Sequence, residues 1–307
     1  MKLIKPKFWL KKNLISFFLY PLSITTYAIN LFKKLSSKKN FNIKTICVGN
    51  LYVGGTGKTS LVIEIHKILR KKFKIVFIKK NYVDQQDEIN LLKKKGNIIY
   101  KKKRLDSLSI AQNKNFEIAL LDDGLQQKNI NYDLKIACFN SDEGFGNGYL
   151  LPAGPLRESV NQLKNCHIAF INGEKKNFNL IKQIKLINKD LKIFNGRYEP
   201  LNLEKFNLNK EYLMFCGIGN PQEFENTLLK YKFKVKHKMI YPDHYKISKN
   251  EIKNLKEIAK KQGLTIITTE KDFLRLNKNE KKNVRYLKVN LKIENINEFK
   301  KILIKYL

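Results

Sequence analysis

The sequence predicts an α/β fold: a mostly parallel sheet covered by helices, a second and smaller α/β block behind it, and an apolar helical segment in front. Three observations predict it. From residue 43 onward, short apolar runs of strand length alternate with segments of helical spacing. A glycine-rich turn separates the first such run from the first such helix. Residues 14–32 contain no charged side chain and have lysines on both flanks. The division that follows is an N-terminal segment over 1–40, a first domain over 41–195 and a second over 196–307.

The elements can be justified in order. IKTICVGN (43–50) is an apolar strand ending in glycine, and residues 59–70 put Leu61, Ile65, Ile68 and Leu69 on one helical side. KIVFIKK (74–80) is a second strand, 88–95 a helix, GNIIY (96–100) a short strand, and a further helix starts at Ser107. FEIALLDDG (116–124), LKIACFN (134–140) and CHIAFING (166–173) are buried strands. In the second block LKIFNGRYEP (191–200), EYLMFCGIGNP (211–221), KVKHKMIYPDH (234–244), LTIITTEKD (264–272) and YLKVNLKI (286–293) read as strands with their turns. Helices are expected over 222–230, over 248–262 and at the C-terminal end.

With 307 residues, 43% of them hydrophobic, the chain can bury two cores, which excludes global disorder. Lys and Arg number 61 against 27 Asp and Glu, a formal net charge of +34. Only six of the basic residues are arginine (Arg70, Arg104, Arg157, Arg197, Arg275 and Arg285), whereas readers of base edges and phosphate forks rely on arginine. Lysine and asparagine are instead spread along the whole chain. Most of the charge therefore reads as compositional bias, and the rest as attraction to anionic surfaces or substrates. Cys47, Cys138, Cys166 and Cys216 form no CxxC, which excludes a zinc ribbon or disulfide framework and fits a reducing compartment.

The segment LISFFLYPLSITTYAINLF (14–32) barely reaches the length of a membrane span and is diluted by Pro21, Ser16, Ser23, Thr25, Thr26 and Asn30. Lysines at both ends choose no orientation, and no small-x-small cleavage site follows. Three arrangements remain open: one or two helices lying in the cytoplasmic face of a bilayer, a true span, or a helix pair packed on its own domain. The first is preferred, with Trp9, Phe17, Phe18 and Tyr20 at the boundary and lysines on anionic headgroups.

Gly54, Gly55, Thr56, Gly57, Lys58, Thr59 and Ser60 run from the first strand into the first helix. Glycines let backbone N–H groups approach phosphate oxygens, and the helix N-terminus adds partial positive charge. Lys58 can reach the β/γ-phosphates and the Thr59 hydroxyl can ligate Mg²⁺, so the first domain is expected to be a P-loop NTPase-like α/β/α sandwich. The usual first glycine of the pattern falls on Tyr52, with Gly49 further upstream. Asp122 and Asp123 end a hydrophobic strand, where an acid of such a fold holds Mg²⁺ or its water; either of the two could face the metal. Gly144-Phe145-Gly146-Asn147-Gly148 leads into Leu151-Pro152-Ala153-Gly154-Pro155-Leu156-Arg157-Glu158, a loop placed where α/β sheets bind ligands, with Arg157 as a phosphate contact or a structural ion pair. His244 lies beside Asp243 in a loop and could orient an acid or carry a proton, although a lone histidine is more often structural. Asp87-Glu88 and Thr269-Glu270-Lys271-Asp272, taken alone, read as helix starts.

Together these pieces resemble the tetraacyldisaccharide 4′-kinase family of lipid A biosynthesis. The resemblance rests on VGNLYVGGTGKT (48–59), LLDDGLQQ (120–127), GFGNGYLLPAGPLRE (144–158), CGIGNPQEF (216–224), YPDH (241–244) and TTEKD (268–272), in that order, and covers nearly the whole chain. It implies ATP- and Mg²⁺-dependent phosphorylation of the 4′-hydroxyl of an acylated glucosamine disaccharide 1-phosphate at the cytoplasmic face of the inner membrane, by a monomer with two α/β/α domains and a cleft between them. It also implies roles: Asp87 activates the sugar hydroxyl, supported by His244; Lys58 serves the transferred phosphoryl; Thr59, Asp122 and Asp123 serve the metal; Tyr82, Asn147, Arg157 and Glu158 serve the substrate. The chain departs from the family's pattern at three places. Ser-Arg-Gly-Tyr is here Lys79-Lys80-Asn81-Tyr82, Gly-Asp-Glu-Pro is Gln86-Asp87-Glu88-Ile89, and Asp-Asp-Gly-Phe-Gln-His ends in Leu125-Gln126-Gln127; the stretch from Tyr82 to Asp87 is also short. Competing readings are a P-loop kinase or ligase acting on a soluble metabolite and a nucleic-acid-associated P-loop ATPase. The apolar N-terminus argues against the former. The lack of an aromatic/arginine stacking platform argues against the latter, and no nucleic-acid partner is expected.

Overall fold

The computed structural model describes residues 6–82 and 85–307. The first five residues of the expected 1–40 segment, and residues 83 and 84 of the short stretch before Asp87, lie outside the described residues. In chain order the elements are α1 (Leu14–Lys34), β1 (Lys44–Gly49), α2 (Lys58–Leu69), β2 (Ile75–Lys80), α3 (Gln86–Lys93), β3 (Ile98–Lys101), α4 (Arg104–Asn113), β4 (Ile118–Asp122), β5 (Leu134–Asn140), β6 (Ile168–Asn172), α5 (Phe178–Ile187) and β7 (Lys192–Pro200). They continue with β8 (Glu211–Cys216), α6 (Pro221–Lys230), β9 (Lys234–Ile240), α7 (Lys249–Lys261), β10 (Thr265–Thr269), α8 (Glu270–Arg275), β11 (Val284–Leu287), β12 (Val289–Ile293) and α9 (Ile296–Lys305).

Two compact units divide the chain. The larger holds 6–82, 92–197 and 293–307, and the smaller holds 85–91 and 198–292. Compared with the expected division, the N-terminal segment goes with the first domain, the C-terminal helix returns to it, and the short stretch carrying Asp87 goes with the second.

The larger unit is built on a sheet in the order β12-β7-β6-β5-β1-β4-β2-β3. From β7 to β3 every ladder is parallel. The central strands are apolar on both faces because helices cover both; in β1 everything after Lys44 is buried. β1 lies between β5 and β4, with Val48 level with Asp122. The glycine loop after β1 and the acids ending β4 therefore open on the same edge, the carboxyl ends of the strands, where such sheets bind ligands.

In the smaller unit a parallel sheet in the order β11-β10-β8-β9 has a core on each face. Alternation along β8 sends Tyr212, Met214 and Cys216 to one and Leu213 and Phe215 to the other. Asn220 caps α6 ahead of Pro221, and Ser248 with Glu251 forms a capping box on α7.

Residues 14–34 form one helix that continues through Pro21, within the one or two helices expected there. Two local features differ from expectation. The run YLKVNLKI is divided: β11 pairs with β10, while β12 belongs to the eight-stranded sheet. The break falls at Lys288, whose N–H turns aside to donate to Asn202 Oδ1 (2.9 Å). The turn at Thr269 opens a short helix, α8, capped by the Thr269 side chain, in line with the helix start read there from the sequence. Helix α5 was not anticipated; Asn177 caps it, and Leu180 and Ile184, one turn apart, bury its inner face.

Candidate active site

The residues singled out in the sequence fall into two groups, one in each unit. In the larger unit, Gly57 takes a left-handed φ of 79° as N-cap of α2, and Gly54 a φ of 132°. Both conformations favour glycine, and the first N–H groups of α2, like those of any helix, have no acceptor within the helix. Thr56 is buried and its Oγ1 has no hydrogen-bond partner. Gly55 and Ser60 are half-buried members of the same turn.

Facing this loop, the two aspartates have different environments. Asp122 is fully buried: its Oδ2 accepts from Thr59 Oγ1 (3.0 Å) and pairs with Lys79 Nζ (2.7 Å), while its Oδ1 is buried without a partner. Asp123, at a left-handed φ of 59°, lies 3.6 Å from Lys58 Nζ and receives a two-pronged contact from Arg157, NH2 to Oδ1 at 2.9 Å and NH1 to Oδ2 at 3.3 Å. Burial would push the Asp123 carboxyl up, but the charges of Lys58 and Arg157, the Arg157 hydrogen bonds and Lys79 hold it well below the usual carboxylate range. Arg157 also hydrogen-bonds Asn50, the first residue after β1, and buried Arg104 fastens the backbone oxygens of Asp122 and Asp123. Arg104 and Lys79 were missed by sequence reasoning. Both lie remote in sequence from the acids they hold, so no local motif marks them.

The rest of the glycine-rich loop is tied to the N-terminal segment. Asn147 Nδ2 donates to Phe8 O (3.0 Å) and Ala153 O (2.8 Å), and its Oδ1 accepts from Tyr149 N (3.0 Å); as placed, Asn147 fastens this loop. Buried Glu158 pairs with Lys128 (2.7 Å) through Oε2, and its Oε1 has no partner. It lines a cavity of about 260 Å³ with Lys38, Lys128 and Lys135. Tyr82 is exposed, with the Lys80 ammonium 4.8 Å from its ring centre.

Helix α1 packs the reverse of an ordinary surface helix. Ser16 and Ser23 are its buried residues of known placement, and Ser23, Thr26 and Asn30 donate to the backbone oxygens of Leu150, Leu151 and Arg157 at 2.8 Å. Leu14, Phe17, Phe18, Ile24, Phe32 and their neighbours face outward, 43 to 81% exposed. By length and composition, α1 could cross a membrane over Leu14–Lys33.

In the smaller unit Asp87, in the first turn of α3, is buried. His244 Nδ1 contacts its Oδ1 (3.2 Å), with His244 itself at a left-handed φ of 57°, and Arg275 NH2 donates to its Oδ2 (2.8 Å). Arg275 is held in turn by Gly217 O (2.7 Å) and Asp272, and Asp272 accepts from Gly217 N and the Thr269 hydroxyl. Lys271 pairs with Glu88 (2.6 Å). Burial would raise the Asp87 carboxyl; the hydrogen bond from His244 and the charges of Arg275 and Lys271 prevail and lower it from 3.8 to about 2. The YPDH and TTEKD segments thus converge on one carboxylate. Arg275, three residues beyond the second segment, was missed because its role is set by tertiary contact.

The model of the tetraacyldisaccharide-1-P 4′-kinase family matches residues 15–307. The chain belongs to this family. A tetraacyldisaccharide 4′-kinase of Pelagibacter ubique is 46% identical over 297 residues, covering 95% of each chain. One from Rickettsia canadensis is 32% identical over 317 residues, covering 97% of this chain and 95% of the relative. Among solved structures, LpxK from Aquifex aeolicus, crystallised with ATP, superposes with a TM-score of 0.70 at 23% identity and covers 95% of this chain and 99% of its own. At that identity the likeness establishes the shared fold. Of the departures from the family's pattern, the one at Lys79 falls inside the phosphate-loop group, on the buried Asp122 carboxylate.

Proposed function

We propose that this tetraacyldisaccharide-1-P 4′-kinase family member transfers the γ-phosphoryl of ATP to the 4′-hydroxyl of tetraacyldisaccharide 1-phosphate, the lipid A precursor, forming lipid IVA. The observation that carries the reading is the Gly54–Thr59 loop at the head of α2, facing the acids that end β4.

Among the described residues, no group of three or more His, Cys, Asp or Glu side chains could hold a metal ion. That suits Mg²⁺, which keeps several waters and takes few protein ligands beside phosphate oxygens. The residues present fit it: Thr59 Oγ1 adjoins Asp122, whose Oδ1 is buried and unpartnered. Thr59 and Asp122 would hold the ion, with Asp123 near. Bound there, Mg²⁺ would neutralise charge on the β- and γ-phosphates.

The protein's own groups supply the rest. The α2 N-terminus and the loop amides cradle the phosphates. Lys58 leaves Asp123 for the γ-phosphoryl when nucleotide binds, and Arg157 holds Asp123 in place. Asp87, ionised at neutral pH, receives the hydrogen bond of the sugar hydroxyl and orients it, with His244 as its positioning partner. A carboxyl lowered to about 2 is a weak base, so Asp87 takes the hydroxyl proton late, as the new O–P bond forms and ADP leaves with the electrons of the bond that breaks. A loose phosphoryl transfer needs alignment more than early proton abstraction. Helix α1, with its polar stripe on its own unit and its apolar side outward, lies in the cytoplasmic face of the inner membrane and meets the acyl chains, assisted by lysines on anionic headgroups.

The test is ATP consumption in the presence of detergent-dispersed precursor, RNA or DNA. Stimulation by the precursor alone is expected. Stimulation by nucleic acid, or none by the precursor, would overturn the assignment.

A further inference from the structure

Across the β2–β4 ladder, Ile78 pairs with Leu121, which brings the next residue on each strand, Lys79 and Asp122, side by side. Lys79 is 2% exposed and Asp122 not at all, and their 2.7 Å contact joins two fully buried charges. A lysine is buried to this degree only when paired. Its partner oxygen, Oδ2, is the one that Thr59 Oγ1 also touches, while Oδ1 is buried without a partner. A monovalent cation therefore lies against the carboxylate assigned above to the metal.

We propose that Lys79 is a built-in counter-ion for Asp122: it stands in for the divalent cation while the site is metal-free and weakens the site's hold on Mg²⁺. The proposal deepens the functional reading and rests on Thr59 and Asp122 being the metal side of the nucleotide site. Two arguments carry it. Without a cation, Asp122 would be a buried, unpaired charge, which is strongly destabilising. With Lys79 in place, an arriving Mg²⁺ must share the carboxylate with a like charge a few ångströms away, and in a protein interior that repulsion is large. Lys79 thus makes the metal-free protein stable at the expense of metal affinity.

The experiment compares wild type with Lys79→Ser, Lys79→Met and Lys79→Arg, each with a saturating non-hydrolysable ATP analogue. Mn²⁺ affinity is read by electron paramagnetic resonance, and melting temperature is read in EDTA and in Mg²⁺. Lys79→Ser and Lys79→Met should bind Mn²⁺ about tenfold more tightly. They should melt well below wild type in EDTA, and Mg²⁺ should restore most of the deficit; Lys79→Arg should follow wild type. Unchanged or weaker Mn²⁺ binding in Lys79→Ser would overturn the proposal, as would a melting deficit equal in EDTA and Mg²⁺. If the single variants do not fold in EDTA, the double variant Lys79→Met/Asp122→Asn, which removes both charges, must fold there and show no metal-dependent rise. Failure to fold, or a rise, counts against the proposal. If wild type with the analogue gains no stability from Mg²⁺ while its variants bind Mn²⁺ no differently, the metal-site reading falls together with the counter-ion built on it.

Discussion

Arg275→Met tests the electrostatic reading of the Asp87 group within a single unit. The substitution keeps most of the side chain's bulk and removes a guanidinium that donates to Asp87 Oδ2 at 2.8 Å and also serves Asp272 and Gly217 O. Removing one partner from a buried ion pair costs about 3–5 kcal/mol, because the other charge stays buried. Part of that loss must depend on pH. In wild type the Asp87 carboxyl is depressed from 3.8 to about 2, which corresponds to about 2 kcal/mol. The sign follows from the direction: stability contributed by a depressed carboxyl is fully present above 3.8 and is lost as pH falls through about 2. In Arg275→Met, burial is opposed only by His244 and Lys271, so this contribution shrinks. Urea denaturation of both proteins between pH 7 and pH 2.5 should give the full deficit above about pH 5, narrowing by up to about 2 kcal/mol toward the acid end. A deficit that is flat across this range, or that widens in acid, would refute the argument.

Other outcomes follow from the same geometry. Lys58→Ala should lower turnover about a thousandfold or more while leaving liposome binding unchanged, measured by phosphate transfer and flotation. Gly57→Val should reduce ATP binding and destabilise the protein by about 1–2 kcal/mol, since a β-branched residue opposes the 79° φ at the head of α2; nucleotide titration and melting would check it. Replacing Phe17, Phe18 and Phe32 on the exposed side of α1 with serine should weaken partitioning into anionic liposomes and leave the melting temperature nearly unchanged. Asn147→Ala should destabilise the protein by about 1–3 kcal/mol by leaving the Phe8 and Ala153 oxygens unsatisfied, read by denaturant unfolding.

Much of the architecture was legible because parallel strands and their covering helices write their periods directly into the sequence. The runs at 44–49, 75–80, 118–122, 134–140 and 168–172 are predominantly apolar and mostly buried, and each forms a strand. The division of YLKVNLKI was not legible, because what separates β11 from β12 is an asparagine far back in the chain. That α1 is a single helix running through Pro21 was not legible; after the proline its polar stripe of Ser23, Thr26 and Asn30 is bonded to carbonyls of a loop 125 to 127 positions away. At the candidate site, local motifs marked Lys58, Thr59, Asp122 and Asp123. The residues that set the charge environment of these acids, Lys79 and Arg104, come from another strand and another helix, and Arg275 does the same for Asp87 in the smaller unit, so spacing alone could not reveal them. His244 read alone as a structural histidine; its contact with Asp87 is a tertiary fact 157 positions apart.

The most direct measurement of the central claim follows radiolabel from [γ-³²P]ATP into tetraacyldisaccharide 1-phosphate with the full chain, in detergent or liposomes. Label should appear on the lipid at the 4′ position with wild type and vanish with Lys58→Ala. ATP consumed without labelled lipid, or label transferred equally by Lys58→Ala, would contradict it.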